Sequence, residues 1–464
     1  MKAIGINKVA EAAGGKLIRT CEETEIRGVR HDSRECGPGD MFVCIKGPNR
    51  DGHSFIPQVI EQGCRTLLVS DPDALTEEMK VNAILVDDTV YAMGELAKYY
   101  LDLLGPARVA VTGSVGKTST RDMIYYVLNE KYNCGRNLKN FNNDIGLPIS
   151  IFNLDENCDA VVLEMGMSGF GEIDRLAEIV RPQIGVITNI GVSHMENLGS
   201  REGIFRAKME LTKHLLSADQ GGTMVFVYDD EFLNPRNTAG DYEQIFIGTD
   251  GRSDFILSEI EDHGVDGVRF KLEHETVSRN IRIPVPGRHN AFNGAVAAAV
   301  GTQLGVTPDE IIEGLSKVEL TGNRLRVLRG STITVIDDTY NASPDSMKGA
   351  LKVLQKSDCR SRRVAILGEM YELGEYTEQL HYSVGVFVRS CGIDQLIAIG
   401  PLAKHIAEGC QGGNTKTVYF ETKEGFLKKQ AELIQPDDLI LVKASRGMKL
   451  EEVAEKLVED RRIP

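Results

Sequence analysis

The segment from residue 108 to residue 128 constrains the fold of this chain more than any other. It begins with the β-branched run RVAVT, turns through GSVGK and ends in TSTRDMIYYVL, where Met123, Ile124, Val127 and Leu128 form an apolar stripe at helical spacing. Strand, tight turn and helix in this order are typical of a phosphate-binding loop, in which main-chain N–H groups and the helix N-terminus face an anion. The segment therefore predicts a phosphate cradle after a strand.

The loop departs from the usual spelling of such motifs, which is a glycine, four further residues and then Gly-Lys-Ser/Thr. Gly116 and Lys117 are in place, but the position for the first glycine holds Val111, and Gly113 comes two residues later. The surrounding strand and helix still favour a nucleotide-phosphate loop, in which Lys117 reaches the β- and γ-phosphates and Thr118 binds Mg²⁺. The alternative is a glycine-rich turn followed by an ordinary helical lysine.

Length, charge and cysteine usage set the broad class of the chain. Its 464 residues exceed the size at which one hydrophobic core stops growing, so we expect two or three domains. The amino-terminal segment lacks the apolar core of a signal peptide, no run is long enough to span a bilayer, and the nine cysteines include no C-x-x-C pair. We expect a cytoplasmic protein with reduced thiols and no membrane insertion. The net charge of −15 argues against binding nucleic acid, because such a field repels phosphate.

Apolar and helical patterns divide the chain into three segments. Residues 1–105 hold short strands such as DMFVCIKG and end in a helical pattern before the break GPAR. Residues 106–324 alternate strands with helices, and residues 325–464 repeat the alternation over five strands, from STITVIDD to DLILVKA. We predict an α/β protein of three domains: a small amino-terminal α/β domain, a central phosphate-loop domain with a mostly parallel sheet, and a Rossmann-like, doubly wound carboxyl-terminal domain.

Two polar residues follow strands, and one lysine lies on a helix, close in sequence to the central motif. Glu164 ends the run AVVLEMG, and His194 follows a strand in TNIGVSH. Ligands bind beyond the carboxyl ends of strands in open α/β sheets, so both are candidates for a metal site, although such residues are more often caps or surface groups. Lys208, in the helical run GIFRAKMEL, reads as a solvated helix lysine.

Six further segments of the chain contain recognisable sequence motifs. They are DSRECGPGDMFVCIKGPNRDGHSFI, NFNNDIGLPISI, GRHNAFNGAVAAA, DDTYNASPDSMKGAL, GEMYELGEYTEQLH and LVKASRGM. Together with TGSVGKTS, they resemble the Mur ligase family of ATP-dependent amide ligases, whose loop reads TGxxGKT followed by Ser or Thr. By that standard Val111 is no defect, whereas Val115 departs from the asparagine common in the family. The resemblance covers nearly the whole chain.

The resemblance assigns roles to residues in all three segments. It implies ATP and Mg²⁺, with two ions in the family's manner, and catalytic roles for Lys117, Glu164, His194 and Lys208. The nucleotide contacts it implies are Gly113, Ser114, Val115, Gly116, Lys117, Thr118, Ser119, His289, Asn290, Asn293, Arg324 and Asp338. The metal residues it implies are Thr118, Glu164, His194 and a carbamylated Lys208, which replaces the solvated interpretation of that lysine. The substrate contacts it implies are Ser33, Arg34, Gly47, His53, Asn142, Asn143, Tyr340, Asn341, Lys443, Ser445 and Arg446.

The implied substrates are ATP, UDP-N-acetylmuramoyl-tripeptide and D-alanyl-D-alanine. ATP converts the tripeptide carboxylate into an acyl phosphate, to which the dipeptide is then joined. The resemblance implies a monomer whose carboxyl-terminal domain closes to exclude water from this intermediate. Ser33 and Arg34 would meet the uridine diphosphate, or else stabilise a turn. Two other ligases stay open: the tripeptide-forming relative and a folylpolyglutamate synthase, although residues 1–100 argue against the synthase. Two other classes of protein also stay open: a regulatory P-loop NTPase that makes no amide bond, and a scaffold with a decayed site. The third residue of the tripeptide, diaminopimelate or lysine, is also open.

Overall fold

The computed structural model describes residues 1–192, 195–228 and 231–459 of the chain. These residues form two compact units. The first unit contains Met1–Val111, Tyr132–Gly185 and Met209–Thr223. The second unit contains the described residues of Thr112–Lys131, Val186–Lys208 and Met224–Pro464. The predicted central segment is therefore shared between the two units, and the predicted limits of the three domains stay predictions.

The amino-terminal hundred residues supply a five-stranded sheet of the first unit. Their elements are β1 Ile4–Gly5, α1 Ile6–Ala12, β2 Lys16–Arg19, β3 Glu25–Ile26, β4 Gly28–Arg30, β5 Asp40–Val43, α2 Ile56–Glu61, β6 Thr66–Val69, β7 Asn82–Leu85 and α3 Thr89–Leu104. The sheet has the order β2-β7-β6-β5-β4, parallel except for β2, while β1 pairs with β3. Helix α3 begins at the Asp88 cap, whose carboxylate accepts from two amides, and ends before Gly105, which has a left-handed φ of 71°.

The motif segment continues the chain with a regular alternation. Its elements are β8 Ala107–Thr112, α4 Lys117–Leu128, β9 Cys134–Arg136, α5 Gly146–Phe152, β10 Ala160–Glu164, α6 Glu172–Val180, β11 Ile184–Ile187, α7 Met195–Leu198, α8 Arg201–Met209 and β12 Thr223–Val227. In the first unit, β10 lies between β8 and β9 and runs parallel to both, with Glu164 opposite Val111. The predicted apolar stripe of α4 is confirmed, since all four of its residues are fully buried.

The next segment departs from the predicted alternation. It contains β13 Glu243–Gly248, β14 Phe255–Asp262, β15 Val268–His274, β16 Val277–Ile283, α9 His289–Gln303 and α10 Pro308–Ser316. Strands β14, β15 and β16 form consecutive antiparallel hairpins in the second unit, whereas β13 runs parallel to β14. The short turns between β14, β15 and β16 leave no room for a crossover helix, and each turn returns the chain as an antiparallel neighbour.

The carboxyl-terminal segment confirms the doubly wound prediction. It contains β17 Arg326–Arg329, β18 Thr334–Asp338, α11 Pro344–Lys356, β19 Arg363–Leu367, α12 Thr377–Ser390, β20 Gln395–Ile399, α13 Lys404–Cys410, β21 Lys416–Phe420, α14 Lys423–Leu427, α15 Gln430–Leu433, β22 Leu439–Lys443 and α16 Glu451–Glu459. The five predicted strands form the parallel order β18-β22-β19-β20-β21, with antiparallel β17 at the edge. Alternate residues of β22 enter two separate cores, Leu441 one and Ile440 the other, so helices cover both faces.

No helix among the described residues combines the length and the apolar character needed to cross a bilayer.

A buried ion pair ties helix α4 to the chain that enters the carboxyl-terminal segment. Arg121 and Asp122 are both fully buried, and the guanidinium Nη2 lies 2.6 Å from Oδ1 of the carboxylate. The same carboxylate accepts from the Thr321 amide at 2.6 Å and from its hydroxyl at 3.1 Å. Because every oxygen of Asp122 has a donor, the pair holds residue 321 against the helix that follows the glycine-rich loop.

Replacing Asp122 tests this tie. Asp122→Ala takes the carboxylate away from the buried Arg121 guanidinium, so we expect the free energy of unfolding to fall by about 3–5 kcal/mol. Urea denaturation followed by circular dichroism measures the change. The matched control is Asp250→Ala, which removes a carboxylate from the exposed pair with Arg252; exposed pairs contribute little. Equal stability of the two variants would contradict the tie.

Candidate nucleotide site

The turn between β8 and α4 has the backbone that a phosphate loop requires. Gly113 has a φ of 151° and Gly116 a φ of 85°, conformations that a side chain disfavours. Gly116 precedes α4, whose first N–H groups have no acceptor within the helix and carry the positive end of its dipole. A Cβ at Gly113 would overlap the hydroxyl of Thr188, so this position needs glycine for space as well as for conformation.

Lys117 and Thr118 begin the helix and face different surroundings. The Lys117 ammonium donates to the carbonyl of Gly113 at 2.8 Å and lies 3.4 Å from that of Ser114. It therefore lies against the loop itself, where a phosphoryl group between loop and lysine would be met by a cation. Thr118 is buried, with only 4% of its surface exposed, as a metal-binding hydroxyl shielded from bulk water would be.

Asn293 joins the loop from helix α9. Its carboxamide oxygen lies 3.3 Å from the place that a Cβ on Gly116 would take, and its nitrogen donates to Oδ1 of Asn290 at 2.8 Å. Asn290 in turn donates to the carbonyl of Pro286 at 2.7 Å, so its amide is oriented by the main chain. His289 is the first residue of α9, and desolvation lowers the pKa of its imidazole. The structure therefore brings Asn293 to the loop and orients it through Asn290.

Lys208 is fully buried in the second unit, which is unusual for a lysine. No carboxylate in the part of the chain that the structure describes forms an ion pair with it. Burial lowers the pKa of the Lys208 amine well below its ordinary value, and the positive charge of Lys117 acts in the same direction. The prediction of a solvated helix lysine from the local pattern is wrong, because the tertiary fold covers this face of α8.

Glu164 ends β10 in the first unit and is buried. Asn142 donates to its Oε1 at 2.8 Å, so one predicted substrate residue orients one predicted metal residue. Asn137, which the sequence did not single out, accepts from the Glu164 amide and donates to its carbonyl at 3.1 Å. Asn143 accepts from the Gly146 amide at 2.8 Å. The Glu164 carboxylate is therefore oriented by the Asn142 carboxamide, and its main chain is held by Asn137.

A cluster of charged and aromatic side chains combines a residue before β17 with residues at and just after the ends of β18 and β22. The guanidinium of Arg324 lies 3.5 Å from the ring centre of Tyr340, and that of Arg446 lies 5.1 Å from it. The ammonium of Lys443 lies 2.6 Å from Oδ2 of Asp338. That ammonium also donates to the carbonyl of Asn341 at 2.8 Å. The structure thus joins residues for which the resemblance predicts separate nucleotide and dipeptide contacts.

Ser445 lies beside this cluster and holds a neighbouring loop. Its hydroxyl accepts from the amide of Tyr371 at 3.0 Å, and its own amide donates to the carbonyl of Glu369 at 2.9 Å. These bonds join the end of β22 to the segment GEMYELG after β19. The predicted dipeptide contact of Ser445 stays a prediction.

The predicted uridine diphosphate residues lie in the five-stranded sheet domain of the first unit. Arg34 is exposed and pairs with Asp32, whose pKa it lowers, while the Ser33 hydroxyl lies 3.4 Å from Oε1 of Gln58. The Gly47 amide donates to the carbonyl of Arg50. His53 is buried, with Nδ1 2.6 Å from Oδ1 of Asp51 and Nε2 accepting from two amides. Both ring nitrogens of His53 therefore have protein partners, and its role toward a substrate stays a prediction.

His194 lies outside the described residues. Among the residues that are described, no group of three or more His, Cys, Asp and Glu side chains is placed to hold a metal ion. The predicted metal residues include a threonine hydroxyl and a carbamylated lysine, which are not among these four residue types. The predicted metal site therefore stays a prediction.

The turn, its lysine and its buried threonine define a P-loop protein, the class that binds nucleotide phosphates. Three family models match the chain: the catalytic domain of the Mur ligase family over residues 25–101, the Mur ligase middle domain over residues 111–301, and the glutamate ligase domain of Mur ligases over residues 323–446. This chain belongs to the Mur ligase family. The family resemblance and the three-part organisation predicted from the sequence are confirmed.

Full-length relatives narrow the comparison within the family. The chain is 37% identical to the UDP-N-acetylmuramoyl-tripeptide–D-alanyl-D-alanine ligase of Bacillus subtilis, over 98% of both chains. Its fold matches a crystal structure of MurF from Acinetobacter baumannii with a TM-score of 0.91, at 30% identity and over 99% of both chains. It also matches the MurF ligase of Thermotoga maritima in complex with ADP, with a TM-score of 0.82, at 28% identity and over 94% of this chain and 98% of that one.

Crowding at Gly113 gives a direct test of the loop. Gly113→Ala places a methyl group in the space of the Thr188 hydroxyl and a side chain at positive φ, so we expect ADP binding to weaken by about 100-fold or more. Isothermal titration calorimetry measures the affinity. The control is Gly251→Ala, whose added methyl group meets no atom within 4 Å. Unchanged ADP affinity of a folded Gly113→Ala variant would contradict this description of the site.

Proposed function

We propose that the chain is an ATP-dependent ligase that joins D-alanyl-D-alanine to UDP-N-acetylmuramoyl-tripeptide in cytoplasmic synthesis of the peptidoglycan precursor. The observation that carries the proposal is the match to the Bacillus subtilis ligase of that specificity over 98% of both chains. The glycine-rich turn, whose Gly113 carbonyl accepts from the Lys117 ammonium, supports the use of a nucleoside triphosphate. ATP supplies the energy for an amide bond that would not form from a free carboxylate.

The chemistry balances in two steps. First, a carboxylate oxygen of the tripeptide attacks the γ-phosphorus of ATP, the bond to the bridging oxygen breaks, and ADP leaves with an acyl phosphate formed. Second, the amine of the dipeptide attacks the acyl carbon, phosphate leaves with the carbon–oxygen bond electrons, and the nitrogen loses a proton. The first step brings two anions together, so cations and helix N–H groups must offset their repulsion. Lys117 and the start of α4 supply that charge here.

Buried Lys208 fits a metal-holding role once it is carbamylated. The neutral amine attacks the carbon of carbon dioxide, a C–N bond forms as one C=O π bond opens onto oxygen, and the nitrogen releases one proton to solvent. The product carries an anionic oxygen pair in place of a cation. Desolvation favours the neutral amine that this reaction needs, and a buried ammonium without a carboxylate partner would be costly. The resemblance assigns Mg²⁺ to Thr118, Glu164 and the carbamate, and the ion would supply positive charge to the phosphates when bound. His194 completes this proposed set by resemblance.

The cluster of Arg324, Asp338, Tyr340 and Arg446 is proposed for the nucleotide and the dipeptide. Arg324 and Arg446 both face Tyr340, which gives two cations a common aromatic surface. The Lys443 ammonium donates to Oδ2 of Asp338 and fixes the orientation of this carboxylate, which would accept hydrogen bonds from a ribose hydroxyl or another donor. We assign nucleotide binding to Arg324 and Asp338, and the dipeptide carboxylate or the phosphate to Arg446.

Product analysis tests the proposed activity. The chain is incubated with ATP, Mg²⁺, either the diaminopimelate or the lysine form of the UDP-tripeptide, and D-alanyl-D-alanine. We expect ADP and phosphate in equal amounts with a UDP-pentapeptide seen by mass spectrometry. Product formation with single amino acids but not with the dipeptide would indicate the tripeptide-forming relative. Slow ATP hydrolysis that is indifferent to the muropeptide would indicate a regulatory NTPase; either result would overturn the proposal.

Lys208→Ala tests the carbamate. It removes the proposed anionic ligand, so we expect the rate of ADP formation to fall by at least about 100-fold. Added short carboxylic acids should restore part of it, because acetate can fill the space and supply oxygen ligands. The coupled ADP assay measures both effects.

The control is Lys317→Ala, whose exposed ammonium pairs with Glu130 and Glu313 at the surface and should not affect the rate. Activity of Lys208→Ala close to that of the unmodified protein would remove Lys208 from the metal site.

A further inference from the structure

Asn189 forms a paired contact with the main chain of the phosphate loop. It lies two residues after β11, in the segment TNIGVSH, and is half-buried. Its Oδ1 accepts from the amide of Val115 at 3.0 Å, and its Nδ2 donates to the carbonyl of Val115 at 2.7 Å. A carboxamide thus meets a residue of the loop with a donor and an acceptor, as a neighbouring strand would.

Contacts from the same segment extend this pairing along the loop. The main-chain carbonyl of Asn189 accepts from the amide of Ser114 at 3.1 Å. The Thr188 hydroxyl donates to the Val115 carbonyl at 2.7 Å, and the Gly191 amide donates to the Ser114 hydroxyl at 2.9 Å. Both polar atoms of the Val115 main chain are therefore bound by the segment after β11.

These bonds decide which way the peptide groups of the loop face. A carbonyl oxygen turned toward a phosphate would repel it, whereas an amide turned toward it would donate. Asn189 and Thr188 both donate to the Val115 carbonyl, so this oxygen is bound by protein donors and is not turned toward a phosphate. The amides of Ser114 and Val115 are bound by the same segment, so the cradle is formed by the amides of the two loop glycines and of the start of α4.

We propose that Asn189 is a positioning residue, which holds the loop in its phosphate-binding conformation before the nucleotide arrives. The inference rests on the proposed function only in that the loop binds ATP. Because Asn189 binds main-chain atoms, the side chain at position 115 is free to vary, and valine serves there. A loop without this contact would have to be ordered by the nucleotide itself, with a loss of affinity.

Two substitutions separate the pairing from simple packing. Asn189→Ala removes both side-chain bonds, and Asn189→Asp keeps the shape but sets a carboxylate against the Val115 carbonyl. We expect each to weaken ADP binding at about pH 8 by about 10-fold or more, with the aspartate variant the weaker binder. Titration calorimetry with ADP and Mg²⁺ measures this on the full chain, without muropeptide or dipeptide.

The pH dependence of binding identifies the carboxamide pairing. The Val115 carbonyl facing the carboxyl group introduced by Asn189→Asp disfavours its charged form and raises its pKa above the ordinary value, so at about pH 5 part of the population is protonated and an O–H donates to the Val115 carbonyl again. The ratio of ADP affinities between the unmodified chain and Asn189→Asp should therefore shrink from about pH 8 to about pH 5. The ratio for Asn189→Ala should stay constant, because alanine does not titrate.

Asn82 supplies the matched control in the amino-terminal sheet. Its Nδ2 donates to the carbonyl of Glu23 at 2.8 Å and its Oδ1 accepts from the amide of Cys21 at 2.9 Å, a similar pairing of a carboxamide with main chain. Asn82→Asp should lower the melting temperature and leave ADP affinity unchanged. Thr188→Val, which removes one donor to Val115 and leaves Asn189 in place, should give a smaller loss of ADP affinity than Asn189→Ala.

ADP affinity equal to that of the unmodified chain in folded Asn189→Ala and Asn189→Asp variants would overturn the proposal. A loss of the same size in both variants at both pH values would also overturn it. If Asn189→Ala fails to fold, Thr188→Val decides: unchanged ADP affinity overturns the proposal, and a loss supports it. A chain that binds ADP as described but forms no UDP-pentapeptide would overturn the proposed function and leave this inference standing.

Discussion

The rest of this structure depends on the N–H groups in the first turn of helix α4, which have no acceptor within the helix. Here they follow directly on a glycine-rich turn. Such groups attract an anion only if the turn holds its own carbonyls away from them. Two glycines in rare conformations and the segment after β11 meet that requirement. A nucleotide phosphate is the ligand whose charge and oxygens match this arrangement.

The buried ionisable residues of the second unit differ in their partners. Arg121 and Asp122 are paired with each other and bonded to Thr321, so they stabilise the connection into the carboxyl-terminal segment. Lys208 is equally buried, but no described carboxylate pairs with it. A protein keeps a buried amine without a counter-charge at a cost in stability, which is understandable where chemistry uses it.

Much of the architecture could be predicted from local patterns. The β-branched run before Gly113 and the stripe on α4 identify a strand and a buried helix face, and five apolar runs identify the carboxyl-terminal sheet. The hairpins β14 to β16 escape such a prediction, because their alternation resembles that of strands joined by helices until the turns are counted. Asn189 carries no local signal either, since an asparagine after a strand is common and its partner lies 74 residues away in the chain.

By itself, the sequence determined the class of the site: the order of strand, glycine turn, lysine and helix favours a phosphate cradle, because few other uses explain glycines and a lysine at that spacing. Only the tertiary structure decided how the cradle is held and which charges are buried. Whether Lys208 faces water, and whether Val115 offers its carbonyl to a ligand, depends on chain segments far away in sequence. Burial and hydrogen-bond partners are properties of the packed fold, so no local pattern contains them.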